Sequence, residues 1–497
     1  MKHKLPSFIL LLVLVLAPAA CSPGEAGPTP SAEGSPEIEL EACQLSAPGL
    51  AQHLSARCGT LQVYEDPASS AGRQISLNIA VFPAVSRNPA PDPLFFLTGG
   101  PGQAATESFL QLYPAFDRIH QSRDIVLVDQ RGTGASNPLR CENLEDEDLP
   151  EEVQIAPLIE ACLSGLEADP RFYTTSAAVE DLERVRAALG YDQINLYGLS
   201  YGTRAALSYL DGYPEQVRAV ILDGVLPQDE ILGLNMAPDA QRALDLLFER
   251  CQEESGCREA FPDLEAGFQA LLEALQAEPV QVTVPHPVSG EPVEVELSAQ
   301  EVASTVRLLT YAPETAALAP LLIHTARETG DYARLASQYL IVTQQLSESL
   351  SEGLYYSVVC SEDAPFYSPE QAEQAARDTY LSSLEWEETF EICSRWPQGE
   401  IAADFKEPVQ SGVPVLLLSG EMDPVTPPEN AEQAARTLSN SLHLVAPGQG
   451  HNVIFRGCLP RLAGDFIEQG SLEGLNGACV QDIRPMPFFV NFNGPEP

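Results

Sequence analysis

Short apolar runs recur along the chain, and most of them end at a glycine, a proline or an aspartate. Within most of these runs the apolar residues are continuous, whereas a strand with one solvent-exposed face alternates between apolar and polar residues. Such runs are typical of strands buried on both faces of a parallel sheet. The runs are ISLNIAVFPA (75–84), PLFFLTGG (93–100), DIVLVDQRG (124–132), INLYGLS (194–200), AVILDGV (219–225), VPVLLLSG (413–420) and SLHLVAPG (441–448).

Helical patterns lie between these runs. The clearest is TSAAVEDLERVRAALG (175–190), which Thr175 or Ser176 can cap and which Gly190 ends. Its apolar residues at helical spacing are Ala178, Leu182, Val185 and Leu189. Because strands that alternate with helices form parallel sheets, the pattern predicts an α/β fold with a mostly parallel sheet.

This alternation is interrupted in the middle of the chain. From residue 231 to residue 405 the pattern is mainly helical, apart from a predicted hairpin at VQVTVPHPVSGEPVEVEL (280–297). A chain of 497 residues is also longer than one ordinary compact domain. We therefore predict a core built from 38–230 and 406–497, with a helical cap inserted at 231–405.

The N-terminus indicates export. Residues 1–20 combine a basic start with an apolar stretch too short to cross a bilayer, which is typical of a signal peptide. The small residues before Cys21 resemble a bacterial lipoprotein signal, although Pro18 stands where such signals usually carry leucine. The alternative is ordinary cleavage nearby, with Cys21 incidental. Residues 21–37 predict a flexible tether. We expect a protein of the periplasm or cell surface that meets the membrane only through lipid on Cys21.

The cysteine count supports an oxidising compartment. Setting Cys21 aside for lipid leaves ten of the eleven cysteines, enough for five disulfides. The sequence does not fix their connectivity, and pairing between neighbours is our expectation because it closes short loops. The expected pairs are Cys43–Cys58, Cys141–Cys162, Cys251–Cys257, Cys360–Cys393 and Cys458–Cys479.

Charge and cysteine spacing disfavour two kinds of ligand. The formal net charge of −44 repels phosphate backbones, so binding to nucleic acid is disfavoured. The chain contains no Cys-x-x-Cys motif, and no histidine lies at ligand spacing from its cysteines, which argues against zinc. We expect neither a metal nor a cofactor, and the sequence leaves the oligomeric state open.

One five-residue motif predicts a nucleophile. Gly198-Leu199-Ser200-Tyr201-Gly202 lies between a predicted strand and a helical pattern, the setting of a nucleophile elbow. The turn is sharp, so a side chain at either glycine would meet neighbouring backbone. Ser200 would then stand exposed at the end of the sheet. The alternative is an ordinary tight turn between strand and helix.

A serine nucleophile needs a base and an acid that orients the base. His451 lies in a glycine-rich loop after the last predicted strand, where a mobile base belongs. Asp423 follows the preceding strand, and it is favoured over its neighbour Glu421 and over Asp223 at the end of an earlier strand. We predict Ser200, His451 and Asp423 as the catalytic residues.

The reaction also needs backbone N–H groups that hold the oxyanion. One belongs to Tyr201, directly after the nucleophile. The other is expected from the loop Leu97-Thr98-Gly99-Gly100-Pro101-Gly102, with Gly100 favoured and Gly99 as the alternative. Asp129 and Arg131, in the loop after the next strand, are expected to pair and support these glycines.

Taken together, these motifs resemble the α/β-hydrolase family of proline iminopeptidases and, more closely, the secreted tripeptidyl aminopeptidases. The resemblance rests on GGPG (99–102), DQRGTGAS (129–136), GLSYGT (198–203), GEMDPVTPP (420–428) and GQGH (448–451). It covers the core and the placement of the cap, and the last segment resembles the C-terminal domain of the tripeptidyl aminopeptidase branch. Thr98 departs from the iminopeptidases, which usually carry histidine there. The resemblance implies a serine aminopeptidase that releases short peptides or N-terminal residues through an acyl-enzyme.

Such an enzyme has to hold the free N-terminal ammonium of a peptide. A carboxylate near the nucleophile is the natural partner, and Glu362 and Asp363, beside Cys360, are our candidates. Their alternative role is solvated surface charge. Two other functions remain open at this stage: an esterase or lipase with the same catalytic residues, and an inert binding module that kept only the fold.

Overall fold

The computed structural model describes residues 38–46, 53–141, 155–381 and 384–495. The predicted signal peptide, Cys21 and the tether lie outside these residues.

The described residues form eleven strands: β1 (Glu41–Leu45), β2 (Leu54–Tyr64), β3 (Gln74–Phe82), β4 (Leu94–Leu97), β5 (Ile125–Val128), β6 (Ile194–Leu199), β7 (Val217–Asp223), β8 (Val280–Pro285), β9 (Pro292–Leu297), β10 (Val415–Gly420) and β11 (Ser441–Ala446). Nine of them form the central sheet, in the order β1-β2-β3-β5-β4-β6-β7-β10-β11. From β5 to β11 all neighbours are parallel, whereas β1, β2 and β3 form an antiparallel edge. The predicted α/β fold is confirmed, and every predicted strand is present, although β11 at the edge of the sheet is only half-buried.

The two outermost strands of the antiparallel edge, β1 and β2, were not predicted from the sequence. Along β2 buried residues are interspersed with exposed ones, and β1 is largely exposed. Neither strand therefore contains the continuous apolar run by which the central strands were recognised.

Helices flank the sheet and fill the inserted segment. They are α1 (Ala105–Leu112), α2 (Asp117–His120), α3 (Ile155–Gly165), α4 (Thr175–Ala188), α5 (Tyr201–Gly212), α6 (Met236–Glu253), α7 (Ser255–Ala260), α8 (Leu264–Ala277), α9 (Ala299–Leu309), α10 (Pro313–Ala316), α11 (Ala319–Thr329), α12 (Ala333–Ser349), α13 (Glu352–Glu362), α14 (Pro369–Ala376), α15 (Leu384–Cys393), α16 (Pro428–Ala435) and α17 (Leu459–Gln469). In the parts of the chain that the structure describes, no helix combines the length and the apolar character needed to cross a membrane.

The start of α4 differs from the prediction by one residue. Thr174 is the cap, and its side chain accepts a hydrogen bond from the amide of Ala177 at 3.3 Å. Thr175 is the first helical residue, and its hydroxyl is engaged by two side chains from other elements. Local sequence offers three adjacent hydroxyl residues, and only tertiary contacts decide which one caps.

The segment 231–405 contains α6 to α15 and the predicted hairpin, formed by β8 and β9. It has a hydrophobic core of its own, in which residues such as Leu244, Phe268, Val302 and Ile323 are buried. Met422 and Phe488 from the last part of the chain join this cluster. The inserted segment is therefore packed against the second part of the core.

The five expected disulfides are all present, so the predicted pairing of neighbouring cysteines is confirmed. Cys43–Cys58 joins β1 to β2, and Cys360–Cys393 joins α13 to α15. Each bridge closes a loop of 33 residues or fewer. Disulfides at this density suggest a chain that folds outside the reducing cytosol.

Candidate active site

Ser200 occupies a strained turn between β6 and α5. Its backbone has φ 55° and ψ −125°, a conformation that residues with a side chain rarely adopt. The flanking glycines make the turn possible, because a Cβ on Gly198 would lie 2.5 Å from the carbonyl oxygen of Gly202. A Cβ on Gly202 would lie 2.5 Å from the carbonyl oxygen of Thr98. The turn therefore has the geometry expected of a nucleophile elbow.

The loop after β11 carries His451 and is fixed from two sides. The amide of His451 donates to the carbonyl of Tyr311 at 2.8 Å, and the Tyr311 ring packs edge-on against the imidazole at 5.5 Å. On the other side, the carboxylate of Asp223 accepts hydrogen bonds from the amides of Val453 and Ile454. Asp223 thus supports the histidine loop and does not contact the imidazole itself through a hydrogen bond.

Asp423 is the carboxylate that His451 meets. Its Oδ2 lies 2.8 Å from Nδ1 of the imidazole, and its side chain is fully buried. Oδ1 accepts hydrogen bonds from the amides of Val425 and Thr426, both at 2.9 Å. The Thr426 hydroxyl donates to Oδ2 at 2.9 Å. The rival Glu421 accepts from the amide of Gly448 instead.

The charges around His451 favour its protonated form. Burial alone would lower the pKa of the imidazole, but the adjacent Asp423 carboxylate more than offsets this effect and raises it. Asp223 adds to the increase, and Arg307 opposes it. An imidazole held in this way can take a proton from a serine and be stabilised as the cation that results.

Ser200 and His451 face the same cavity, which has a volume of about 520 Å³. Its lining combines apolar and aromatic side chains with polar and charged ones, which can fix the orientation of a ligand. Val425 and Asn452, which neighbour the acid and the histidine, line it as well. The aliphatic and aromatic residues that line it include Leu226, Ile231, Leu232, Met236, Tyr311, Leu346, Leu350, Tyr355 and Tyr356.

The two predicted oxyanion donors lie beside Ser200. Tyr201 is the first residue of α5, so its N–H has no acceptor within the helix. Gly100 lines the cavity with φ +107°, a conformation that favours glycine. Gly99 is close as well, since a Cβ there would lie 2.9 Å from Cβ of Ser200. The geometry is compatible with oxyanion binding by Tyr201 and either glycine.

The expected pairing of Asp129 with Arg131 is wrong. Arg131 instead forms a bidentate ion pair with Asp181 of α4, with N–O distances of 2.7 and 2.8 Å. The Asp129 carboxylate accepts from the amide and the hydroxyl of Thr106 at the start of α1. Both residues support the loops below the site, as expected, but each does so through a different partner.

The predicted amine site at Glu362 and Asp363 is also wrong. Neither is among the described residues that line the cavity, and both side chains are fully buried. Glu362 accepts from the amide and hydroxyl of Thr175. Asp363 binds the buried guanidinium of Arg204 at 2.8 Å and the ammonium of Lys406 at 2.6 Å. Their oxygens are therefore occupied by groups of the protein.

The ion pair between Asp363 and Arg204 predicts a large effect on stability. We expect Asp363→Ala to lower the free energy of unfolding by about 3–5 kcal/mol, because the buried Arg204 loses its carboxylate partner. Urea denaturation with the disulfides intact measures the change. Asp404→Ala, at an exposed position in the same region, is the matched control. A loss below about 1 kcal/mol, the size expected of a surface pair, would contradict this assignment.

Carboxylates that the sequence analysis missed do reach the cavity. Among the described residues that line it, these are Glu230, Asp239 and Glu352. The first two follow β7, at the carboxyl edge of the sheet where α/β proteins bind ligands, and this position was the available signal. Burial, with the nearby charges of Glu230 and Asp423, raises the pKa of Asp239 to about 8. The Asp239 carboxylate forms no hydrogen bond or ion pair with a residue in the described part of the chain.

Comparison with known proteins agrees with this geometry. A family model of the alpha/beta hydrolase fold matches residues 92–250, and a model described as TAP-like protein matches residues 379–479. The serine protease Hip1 of Mycobacterium tuberculosis is 24% identical over 89% of this chain and 91% of its own length. The proline iminopeptidase of Neisseria meningitidis is 29% identical over 36% of this chain and 47% of its own. The tripeptidyl aminopeptidase of Streptomyces lividans is 28% identical over 34% of this chain and 35% of its own.

Proposed function

The chain has the α/β-hydrolase fold and is similar to serine peptidases, and we propose that it is an exported aminopeptidase that cleaves short peptides with a free N-terminus. The observation that carries the proposal is the set of side chains that line one cavity. Ser200 and His451 face it together with three carboxylates and one guanidinium, so that acidic groups outnumber basic ones among the described lining residues; these are Glu230, Asp239, Glu352 and Arg307. A nucleophile beside anionic side chains suits a substrate that carries an ammonium group close to its scissile bond.

The proposed reaction proceeds through an acyl-enzyme. Ser200 Oγ attacks the scissile carbonyl while His451 takes the hydroxyl proton, and Asp423 stabilises the resulting imidazolium. The N–H groups of Tyr201 and Gly100 hold the oxyanion. Collapse of the tetrahedral intermediate breaks the C–N bond, and His451 gives its proton to the leaving amine. Water, deprotonated by His451, then releases the acyl group from Ser200.

We assign recognition of the N-terminal ammonium to Asp239, assisted by Glu230. An ammonium beside Asp239 favours the ionised carboxylate, which its present surroundings disfavour. Binding of the substrate thus satisfies a carboxylate that has no partner of its own among the described residues. The amide of Asn235 already donates to one oxygen of Glu230, which leaves that side chain oriented.

Replacement of Asp239 tests the amine site. We expect Asp239→Asn to lower kcat/KM for a free tripeptide anilide at least about 30-fold, because losing one partner of a buried charge pair costs roughly 2 kcal/mol or more. Turnover of a short-chain nitrophenyl ester, which has no ammonium, should change by less than about threefold, since neutral contacts are worth much less. Asp245→Asn, on the exposed face of the same helix, is the control.

Equal losses on the two substrates would contradict the assignment, because they would place Asp239 in general support of the site. Ester hydrolysis by the wild-type protein without hydrolysis of any free peptide would instead make the protein an esterase of the same fold.

We further propose that residues 1–20 are a signal peptide and that Cys21 carries a lipid anchor at the periplasmic or outer surface. The resemblance of the small residues before Cys21 to a lipoprotein signal supports this location. The five disulfides are compatible with it, because they form in oxidising compartments.

A further inference from the structure

Buried hydrogen bonds connect the elbow to the cap at Glu362. The hydroxyl of Tyr201 lies 2.7 Å from the hydroxyl of Thr175, which in turn lies 2.7 Å from Oε2 of Glu362. The amide of Thr175 donates to Oε1 of the same carboxylate at 2.6 Å. At the other end, the side-chain amide of Gln130 donates to the Tyr201 hydroxyl at 3.2 Å. Three separate elements, α4, α5 and α13, meet through these groups.

The direction of every bond follows from the chemistry of the two ends. The Gln130 NH₂ group can only donate, and an ionised Glu362 can only accept. The Thr175 hydroxyl must therefore donate to Glu362 and accept from Tyr201, whose own oxygen accepts from Gln130. With Glu362 ionised, the hydroxyl groups of Tyr201 and Thr175 each donate to one acceptor in this series of hydrogen bonds. Neither buried hydroxyl group is left unpaired.

We propose that Thr175 and Glu362 are positioning residues that fix Tyr201, and with it the backbone N–H that holds the oxyanion, and that they do so fully only while Glu362 is ionised. This inference rests on the proposed function, because it takes the Tyr201 amide as an oxyanion donor. The Tyr201 side chain is 1% exposed and packs against Leu354 and Val358 of α13. The inserted cap segment can therefore set the orientation of the Tyr201 side chain through the hydroxyl group of this residue.

Protonation of Glu362 disturbs this series of hydrogen bonds. The protonated oxygen would donate to the Thr175 hydroxyl, which would then have to donate to Tyr201. Tyr201 would receive protons from both Gln130 and Thr175, and its own hydroxyl hydrogen would lose its acceptor. A buried donor without an acceptor is destabilised, so the tyrosine would shift to recover a partner.

The surroundings place this titration within the working range of the enzyme. Burial raises the pKa of Glu362 to about 7, although the guanidinium of Arg204 on α5 opposes the increase. The neighbouring Asp363 carboxylate raises it further, and Asp363 is itself held by Arg204 and Lys406. Tyr201 is the remaining titratable group in the cluster, and burial raises its pKa well above the usual range, so it stays neutral.

The test compares kcat for the nitrophenyl ester among variants that leave the triad intact. We expect Thr175→Val, which removes only the hydroxyl, to lower kcat about tenfold with little change in KM. Full loss of an oxyanion donor costs about 10²–10³-fold, and this variant only misplaces the donor, so its effect should be smaller. Thr175→Ser should restore the wild-type value. Tyr201→Phe should match Thr175→Val, and the double variant should lose no more than either single one, because both break the same link.

The pH profile separates positioning from packing. Glu362→Gln places an NH₂ donor against the Thr175 hydroxyl and so imitates the protonated acid at every pH. The ratio of wild-type to Glu362→Gln kcat should be about ten above pH 8 and approach one below about pH 6, since the wild type is then protonated as well. Titration of His451 affects both proteins and cancels in this ratio. Glu373→Gln, exposed on α14, is the control.

A ratio that does not change with pH, or equal losses in Thr175→Ser and Thr175→Val, would overturn the proposal. The ester needs the oxyanion site but not the amine site, so these outcomes are distinct from a failure of the aminopeptidase assignment. That failure would appear as an absence of peptide hydrolysis while the ester is still turned over.

Discussion

Ser200→Ala is expected to reduce kcat for a free tripeptide anilide by about 10⁶-fold, because an alanine cannot form the acyl-enzyme and the other catalytic groups act only through the serine. The substitution removes one oxygen from a residue whose backbone is already fixed by the elbow. The fold and the cavity should therefore be unchanged. Steady-state hydrolysis measures the loss, and a thermal midpoint equal to that of the wild type shows that the protein is still folded.

Covalent labelling provides the second measurement of this prediction. A fluorophosphonate should modify the wild-type protein at Ser200 and leave Ser200→Ala unmodified. Ser208→Ala, on the same helix as the elbow, should be labelled and active like the wild type. A Ser200→Ala protein that kept more than about a thousandth of the activity would contradict its role as nucleophile.

Asp423→Asn is the second large effect, with an expected loss of about 10⁴-fold in kcat. The backbone amides of Val425 and Thr426 point at Oδ1, so the asparagine keeps its carbonyl oxygen there. Its NH₂ group then faces Nδ1 of His451, where the carboxylate oxygen was. A donor at this position forces the imidazole proton onto the other nitrogen. The histidine can then no longer accept the proton of Ser200.

The pH dependence gives this variant a signature of its own. Because Asp423 raises the pKa of His451, removing its charge lowers that pKa. The residual activity should therefore persist to lower pH than that of the wild type. The exposed Asp404→Asn is the control, with no change in rate or profile. If Asp423→Asn lost less than about tenfold, Asp223 or Glu421 would have to be reconsidered as the acid.

The parts of the fold that the sequence predicted are those with local signals. Each central strand is mostly apolar because both of its faces are covered, and this pattern is visible without any partner. The elbow is equally local, since the two glycines that flank Ser200 are required by backbone contacts within a few residues. The histidine loop was identified by its position after the last strand.

The proposed amine site was missed because it is assembled from distant segments, and the position of two of its residues after β7 was the one local signal. Glu230 and Asp239 come from the chain after β7, whereas Glu352 lies more than one hundred residues later at the start of α13. Glu362 and Asp363 have the expected chemistry, but they lie at the end of α13 and away from the cavity, where Thr175 and Arg204 bind them. Sequence shows which side chains are acidic, and only packing shows which of them face the cavity.

The comparison of a free tripeptide anilide with its N-acetylated twin tests the central claim most directly. The two substrates differ only in the ammonium group that the cavity carboxylates are proposed to bind. We predict a kcat/KM for the free peptide at least about 30-fold higher than that for the acetylated one, since acetylation removes the charge from a buried pair. Equal turnover of both substrates would contradict an aminopeptidase.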